Sequence, residues 1–224
     1  MSNVFDTDYY KDENLYRNTL LNNHENFVNV YCSMNYLTFF NAACQNVTDI
    51  NLFIEIINAV NKYLNDMQQF QYFHDEHNFR FCCHNENSEI AKYYFNYLVT
   101  NHKHIFDQNP MNSEILYFIY LIDDESIMLE CLSFIINNYP NFILCWTFIP
   151  INDDDEGLNL FIEMLNESLD NRFHNIIITM LNSEHKIEYI EYLQKILYSI
   201  RNNDRKKYIE EILKNPHKTK AAEV

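Results

Sequence analysis

The densest run of side chains able to do chemistry is FHDEHNFRFCCH, which holds His74, His77, Cys82, Cys83 and His84. Imidazole nitrogens and thiolates are the ordinary zinc ligands, and a His-x2-His pair beside two cysteines has the donors for a tetrahedral site. The spacing follows no zinc-finger pattern, however, and no second cysteine pair comes at finger distance. The simpler reading places His74 and His77 in a turn and Cys82 or Cys83 in the core of the helix that follows. HDEH also lacks the two-residue interval of the HExxH helix, so metal-assisted hydrolysis is not indicated. A second run, NDDDEG at 152–157, is followed by Glu163. With Asn152 as first position, Asp154, Glu156, Gly157 and Glu163 fall where a calcium-binding EF-hand loop needs oxygen donors and a sharp turn. Asn at the first position, Asn159 where an apolar residue is usual, and Pro150 in the entering helix all depart from that loop. An acidic N-cap for a helix over 158–169 uses the same carboxylates, since they favour the positive end of a helix. No metal and no cofactor is assigned.

The triplet Asp123-Asp124-Glu125 has the spacing of a helix start, where carboxylates cap backbone N–H groups, rather than of an acid/base pair. No Ser-His-Asp or Cys-His nucleophile arrangement is recognisable, and the chain is expected not to be an enzyme. The segment FILCWTFI at 142–149 carries the only tryptophan and lies between Pro140 and Pro150. It reads as a buried helix in preference to an exposed docking segment.

What must position these residues is helical. The chain of 224 residues has one glycine, Gly157, and four prolines, where average usage gives about 16 and about 11. Tight hairpins, phosphate loops and nucleophile elbows need residues without a Cβ. Barrels, dinucleotide folds and P-loop folds are thereby excluded, and an all-α chain is expected. The formal charge of −16 repels phosphate backbones and anionic bilayers. Nucleic acid and membrane are not expected partners, whereas a basic peptide or protein would be steered inward. The charge is uneven: Lys186, Lys195, Arg201, Arg205, Lys206, Lys207, Lys214, Lys218 and Lys220 place over half of the basic residues after position 185. No stretch approaches a membrane span, and the polar N-terminus lacks the pattern of a secretory signal. Cys32, Cys44, Cys131 and Cys145 fall in apolar helical patterns, as small hydrophobes do. A reducing, cytoplasmic setting is expected, with the nucleus as a second compartment.

The hydrophobic pattern repeats. FRFCCHNENSEIAKYYFNYLVTNH (79–102) and LYFIYLIDDESIMLECLSFIINNY (116–139) each read as helix, polar turn, helix. Their second helices register at a spacing of 37: Ile90 with Ile127, Ala91 with Met128, Tyr94 with Cys131, Phe95 with Leu132, and Leu98 with Ile135. DINLFIEIINAVNK (49–62) fits one turn earlier, with Leu52, Phe53, Ile56, Ile57 and Val60 on the stripe. A fourth copy over 175–200 places Ile190, Leu193, Ile196, Leu197 and Ile200 there, after an insert at 141–169. Such pairs cannot bury their faces alone, and stacking does so.

ILYFIYLIDDESIMLECLSFIINNYPN (115–141) and IITMLNSEHKIEYIEYLQKIL (177–197) resemble the armadillo/HEAT class of helical repeats, although the glycine between the short helices is absent. The resemblance implies a right-handed α-solenoid over 14–214 as a single domain, after a flexible acidic stretch at 1–13 and before a disordered tail at 215–224. A compact multi-helix bundle is the alternative. The resemblance further implies a non-enzymatic scaffold whose second helices line a concave face and bind an extended peptide or partner helix. On that face the positions opposite the apolar stripe are Lys92, Asn96, Glu130, Ser133, Asn137, Glu191 and Gln194. The alternative bundle would sequester an amphipathic partner helix, as Bcl-2-like regulators do. The partner is a protein or peptide in either case, and the oligomeric state is left open. NDRKKYIEEILK (203–214) reads as a terminal capping helix, with Tyr208, Ile209, Ile212 and Leu213 inward and its Arg and Lys residues solvated.

Overall fold

In the computed structural model the described residues are 11–22, 39–66, 76–107, 114–144, 162, 165–166, 168 and 170–214. Every regular element among them is helical, and none is a strand. The chain divides into two compact units, Met1–Ile105 and Phe106–Val224.

The first unit holds α1 (Glu13–Asn22), α2 (Phe39–Asn46), α3 (Ile50–Asp66), α4 (Glu76–Cys83) and α5 (Ser88–Asn101). One further turn, α6 (His104–Asp107), crosses the boundary in sequence. The second unit holds α7 (Glu114–Tyr120), α8 (Glu125–Asn138), α9 (Asn141–Leu144), α10 (Asp170–Asn182), α11 (Lys186–Ile196) with a 3-10 turn at Leu197–Ser199, and α12 (Asn203–Lys214). Capping residues explain the best-defined limits. Asn87 caps α5 by accepting from the Glu89 N–H at 3.1 Å. Asp124 caps α8 by accepting from Ser126 at 2.9 Å and Ile127 at 3.1 Å. Each satisfies N–H groups that have no partner inside the helix. Both helices run 14 residues and close at His102 and Tyr139, whose N–H groups donate to Leu98 and Ile135. The helices therefore correspond end to end at the spacing of 37.

Burial follows the sequence register closely in three of the four copies. Ile90, Ala91, Tyr94, Phe95 and Leu98 are buried on α5, and Ile127, Met128, Cys131, Leu132 and Ile135 on α8. Leu52, Phe53, Ile56, Ile57 and Val60 are buried on α3. On α11 the stripe is rotated. Leu193, Ile196 and Ile200 are buried as the register requires, Tyr189 and Tyr192 are buried beside them, and Ile190 and Leu197 are half-buried. The Tyr189 hydroxyl donates to the Ile136 carbonyl at 3.0 Å. A tyrosine with that bond can be buried as readily as an aliphatic residue. Burial raises its hydroxyl well above the ordinary tyrosine range, with Glu188 adding to the effect.

Within the first unit α1 packs on α3, α2 on α4, α4 on α5 and α3 on α5. Within the second, α7 and α10 both pack on α8, α10 packs on α11, α9 touches α8 and α11, and α12 rests on α11. Aromatic pairs such as Phe79–Phe95, with centroids 5.8 Å apart, fill the α4–α5 seam. Each such fully buried side chain contributes about 1.5–3 kcal/mol over an exposed one.

Polar side chains at the turns fasten one helix pair to the next. Asn85, 2% exposed, donates its amide to the carbonyls of Cys44 at 2.9 Å and Val47 at 2.8 Å. Asn87 reaches the Thr48 carbonyl at 2.7 Å, and Asn78 donates to Asn41 at the same distance. Glu13 receives the backbone N–H groups of Thr48 and Asp49 at 2.8 and 3.0 Å, and the Thr48 hydroxyl at 3.0 Å. Partial burial alone would raise this carboxyl, but those donors outweigh it and hold it below its usual range. Arg17 meets Asp49 at 2.6 Å, and that hydrogen bond, followed by the Leu52 N–H, lowers the Asp49 carboxyl as well.

The second unit uses arginine. Arg172 donates to the carbonyls of Tyr120 at 3.3 Å and Asp123 at 2.8 Å, with its guanidinium 5.8 Å from the Tyr120 ring centroid. Asn175 donates to Glu125 at 2.8 Å. Arg205 corrects the sequence reading of α12. The helix spans Asn203–Lys214 as expected, and Ile209 and Ile212 are buried, but so is Arg205, at 8% exposure. Its guanidinium donates to Leu165 at 2.6 Å, to Asn166 at 2.8 Å and to the Ser168 carbonyl, 5.0 Å from the Phe173 ring centroid. Positions 205, 209 and 212 share one helix face. Arg205 therefore belongs to the inward stripe, where three backbone acceptors offset the cost of burying it.

Candidate functional site

The seven positions selected from the sequence lie on α5, α8 and α11. Asn96, Glu130, Asn137, Glu191 and Gln194 are exposed, and Lys92 and Ser133 are half-buried. Lys92 and Asn96 belong to the first unit; the other five belong to the second. Asn96 and Ser133, equivalent at the spacing of 37, differ in surroundings. Asn137 donates its amide to the Ser133 carbonyl at 2.8 Å and to the Ser133 hydroxyl at 3.3 Å. The Asn137 carbonyl in turn lies 3.3 Å from His185 Nε2. Ser133 and Asn137 are thus brought together and partly occupied with each other, while Asn96 is exposed one residue from Tyr97. The Tyr97 hydroxyl donates to Asn61 at 2.9 Å, and burial pushes its pKa up to about 12 despite that bond.

Glu191 and Gln194 keep company that the sequence reading overlooked. Ile187 is 73% exposed and Tyr198 is 89% exposed. At 100° per residue, positions 187, 191, 194 and 198 form one continuous outward stripe. The available signal was the buried stripe itself: once Tyr189, Tyr192 and Ile196 are inward, Ile187 must face out.

The histidine–cysteine run is pulled apart. Cys82 is fully buried and Cys83 is 3% exposed, whereas His77 and His84 are exposed. Burial, with the Cys44 thiol as hydrogen-bond neighbour, raises Cys82 well above the ordinary thiol range. A protonated, buried thiol is a poor ligand and nucleophile. Among the described residues no group of three or more His, Cys, Asp or Glu side chains converges as a metal site. Cys44, Cys82, Cys83 and Cys131 are all buried. His74, most of the acidic loop 152–163 and most of segment 142–149 lie outside the described residues, as do Cys32, Cys145, the first ten residues and 215–224. Asp124 acts as a cap rather than as half of an acid/base pair. Among the described residues no helix is long and apolar enough to cross a membrane.

Comparison with protein-family models, with curated proteins and with solved structures finds no match to any of them. The likeness to armadillo/HEAT repeats therefore rests on sequence pattern alone.

Proposed function

We propose that this chain is a non-enzymatic protein-interaction module, built of compact helical packing, that takes up an amphipathic helix from a protein partner. The supporting observation is packing between helices that are not consecutive: α1 with α3, α2 with α4 and α3 with α5 in one unit, and α8 with α10 and α9 with α11 in the other. Bodies of this kind bind helices by laying the apolar face of the guest against their own apolar side chains. The charge of −16 favours a guest with basic residues on its polar face and speeds its encounter.

An extended peptide lying along a ladder of Lys92, Asn96, Glu130, Ser133, Asn137, Glu191 and Gln194, in a solenoid of armadillo/HEAT type, is the second reading. The helix-to-helix spacing of 37 favours it, but Ser133 and Asn137 spend hydrogen-bonding capacity on each other.

The test is the conformation of the bound guest. A partner is isolated by proximity labelling with the full chain, and its contacting segment is synthesised and titrated against the protein. Gain of far-ultraviolet helical signal is the expected outcome. A segment that binds without gaining helix, and loses affinity on Asn96→Ala with Ser133→Ala, would replace the first reading with the second. A segment that fails to bind directly would sink both.

A further inference from the structure

Helix α1 lies on the first unit with little of itself embedded. Among its described side chains only Tyr16 is buried, whereas α3, on which it packs, buries a stripe that runs from Leu52 to Leu64. Leu21, at its far end, is 82% exposed. Its 10 residues are too few for a stable helix in water, so α1 owes its form to the surface beneath it.

Three residues anchor it. Glu13, Tyr16 and Arg17 stand at i, i+3 and i+4 and so share one face. Glu13 accepts the N–H groups of Thr48 and Asp49 at 2.8 and 3.0 Å, just before the start of α3. The Tyr16 ring lies 5.2 Å from the ring of Phe39, centroid to centroid. Arg17 pairs with Asp49 at 2.6 Å, and both of these side chains are partly open to water, where an ion pair contributes little. A segment held by one buried side chain and by polar bonds at the surface opens more readily than the packed body. Its opening uncovers a complete helix seat: the Phe39 ring, the N–H groups of Thr48 and Asp49, and the Asp49 carboxylate.

We propose that the seat of α1 is the site at which this chain takes up its partner, and that α1 is an internal guest which the partner helix displaces. The proposal rests on the helix-binding reading above and gives it a place and a recognition pattern. The occupant is a helix with Glu or Asp in its first turn, an aromatic residue three positions on and Arg one position further, since α1 shows those three groups being received. The arginine is also the charge that a chain of −16 attracts. While α1 is seated, the partner meets only the fraction of molecules in which it has opened, and its affinity is reduced by that fraction. The contact is therefore autoinhibitory.

The probe is a synthetic peptide of residues 11–22, labelled for fluorescence anisotropy and titrated into the full chain. Glu13→Gln with Tyr16→Ala in the full chain weakens the internal helix and leaves every residue of the seat unchanged. The peptide is expected to bind that variant at least about tenfold more tightly than the wild type. A peptide bearing the same two substitutions is expected to lose binding to it. Hydrogen exchange of the wild type needs no variant, and the α1 amides are expected to exchange at least about tenfold faster than those of α3. Amides of α1 protected as strongly as those of α3 overturn the proposal, as does a variant that binds the peptide no more tightly than the wild type. A variant that no longer unfolds cooperatively shows α1 to be part of the packed body and overturns it equally. The probe is the chain's own helix, so these failures leave the helix-binding reading to the partner segment that tests it.

Discussion

The two units fasten neighbouring helix pairs with different chemistry. In Met1–Ile105 the fasteners are short and mostly uncharged: the amides of Asn78, Asn85 and Asn87, with Glu13 accepting backbone N–H groups at the start of α3. In Phe106–Val224 the principal ones are long and cationic, Arg172 gripping the turn before α8 and Arg205 the carbonyls of Leu165, Asn166 and Ser168, beside the shorter Asn175 amide on Glu125. An amide can satisfy two nearby carbonyls without carrying a charge out of water. A guanidinium has five donors on a long stem, stays charged at any accessible pH and can collect carbonyls that are farther apart. The difference follows from what must be held. Asn85 meets carbonyls one turn away, where regularly spaced helix pairs already bring backbone to backbone. Arg205 meets the carbonyls of Leu165, Asn166 and Ser168 together, and a short side chain could not span them.

The most forceful way to break this comparison is to remove the deepest cation. Arg205→Met leaves three carbonyls without their donor and is expected to cost about 3–5 kcal/mol. Urea unfolding followed by circular dichroism measures it. Arg205→Lys should recover less than half, because an ammonium cannot replace the planar fork. A loss below about 1 kcal/mol would mean that the guanidinium merely fills space. The counterpart in the amide unit is Asn85→Ala, expected to cost about 2–3 kcal/mol by stranding two carbonyls. Asn85→Asp should cost at least as much, since a carboxylate brings no N–H and faces acceptors; equal stability to the wild type would refute the assignment. Tyr189→Phe removes one neutral hydrogen bond to Ile136 and should cost about 1 kcal/mol, read from the shift of the same unfolding curve.

The smallest effect sharpens the comparison by pH. Glu13 and Asp49 both have folded-state pKa values below their unfolded ones. Their contribution is therefore complete above the ordinary carboxyl range and is lost as pH falls through the folded values. Melting temperatures recorded between about pH 5 and about pH 3 should fall less steeply for Glu13→Gln than for the wild type. Arg172 and Arg205 hold backbone carbonyls, which carry no ionisable proton, so their removal should shift the melting temperature by a similar amount at both pH values. An Arg172→Met variant whose effect vanished in acid would contradict that.

Where a helix advertised its own ends, it was legible beforehand. Asp124 stands in a triplet with the spacing of a helix start, and the apolar stripes of α3, α5 and α8 stand in the order of residues. The rotation of α11 escaped because tyrosine counts as half polar until its hydroxyl has a known acceptor. Arg205 escaped because a cation among lysines reads as solvated, although its spacing to Ile209 and Ile212 placed it inward. The fasteners escaped most completely. Asn85 and Arg205 bind main-chain carbonyls, and every residue carries one, so no residue type at positions 44, 47 or 165 announces the bond. Of the candidate contact positions, Asn96, Glu130, Asn137, Glu191 and Gln194 are exposed, and the apolar neighbours Ile187 and Tyr198 became visible only through the burial of the opposite side of α11.

The fasteners also carry a consequence for how the chain is made. Those of the first unit join residues 32 to 41 positions apart. Those that cross the 141–169 insert join residues 48 to 53 apart. A nascent chain leaving the ribosome N-terminus first can close each link of the first unit once about one further helix pair has emerged. The links of α8 to α10 and α11 must wait while the insert is translated. During that interval the α8 turn lacks the donors that will meet its carbonyls, and the part of α8 that packs on α10 has no cover. Translation of the insert is thus the interval in which this part of the growing chain lacks its later partners.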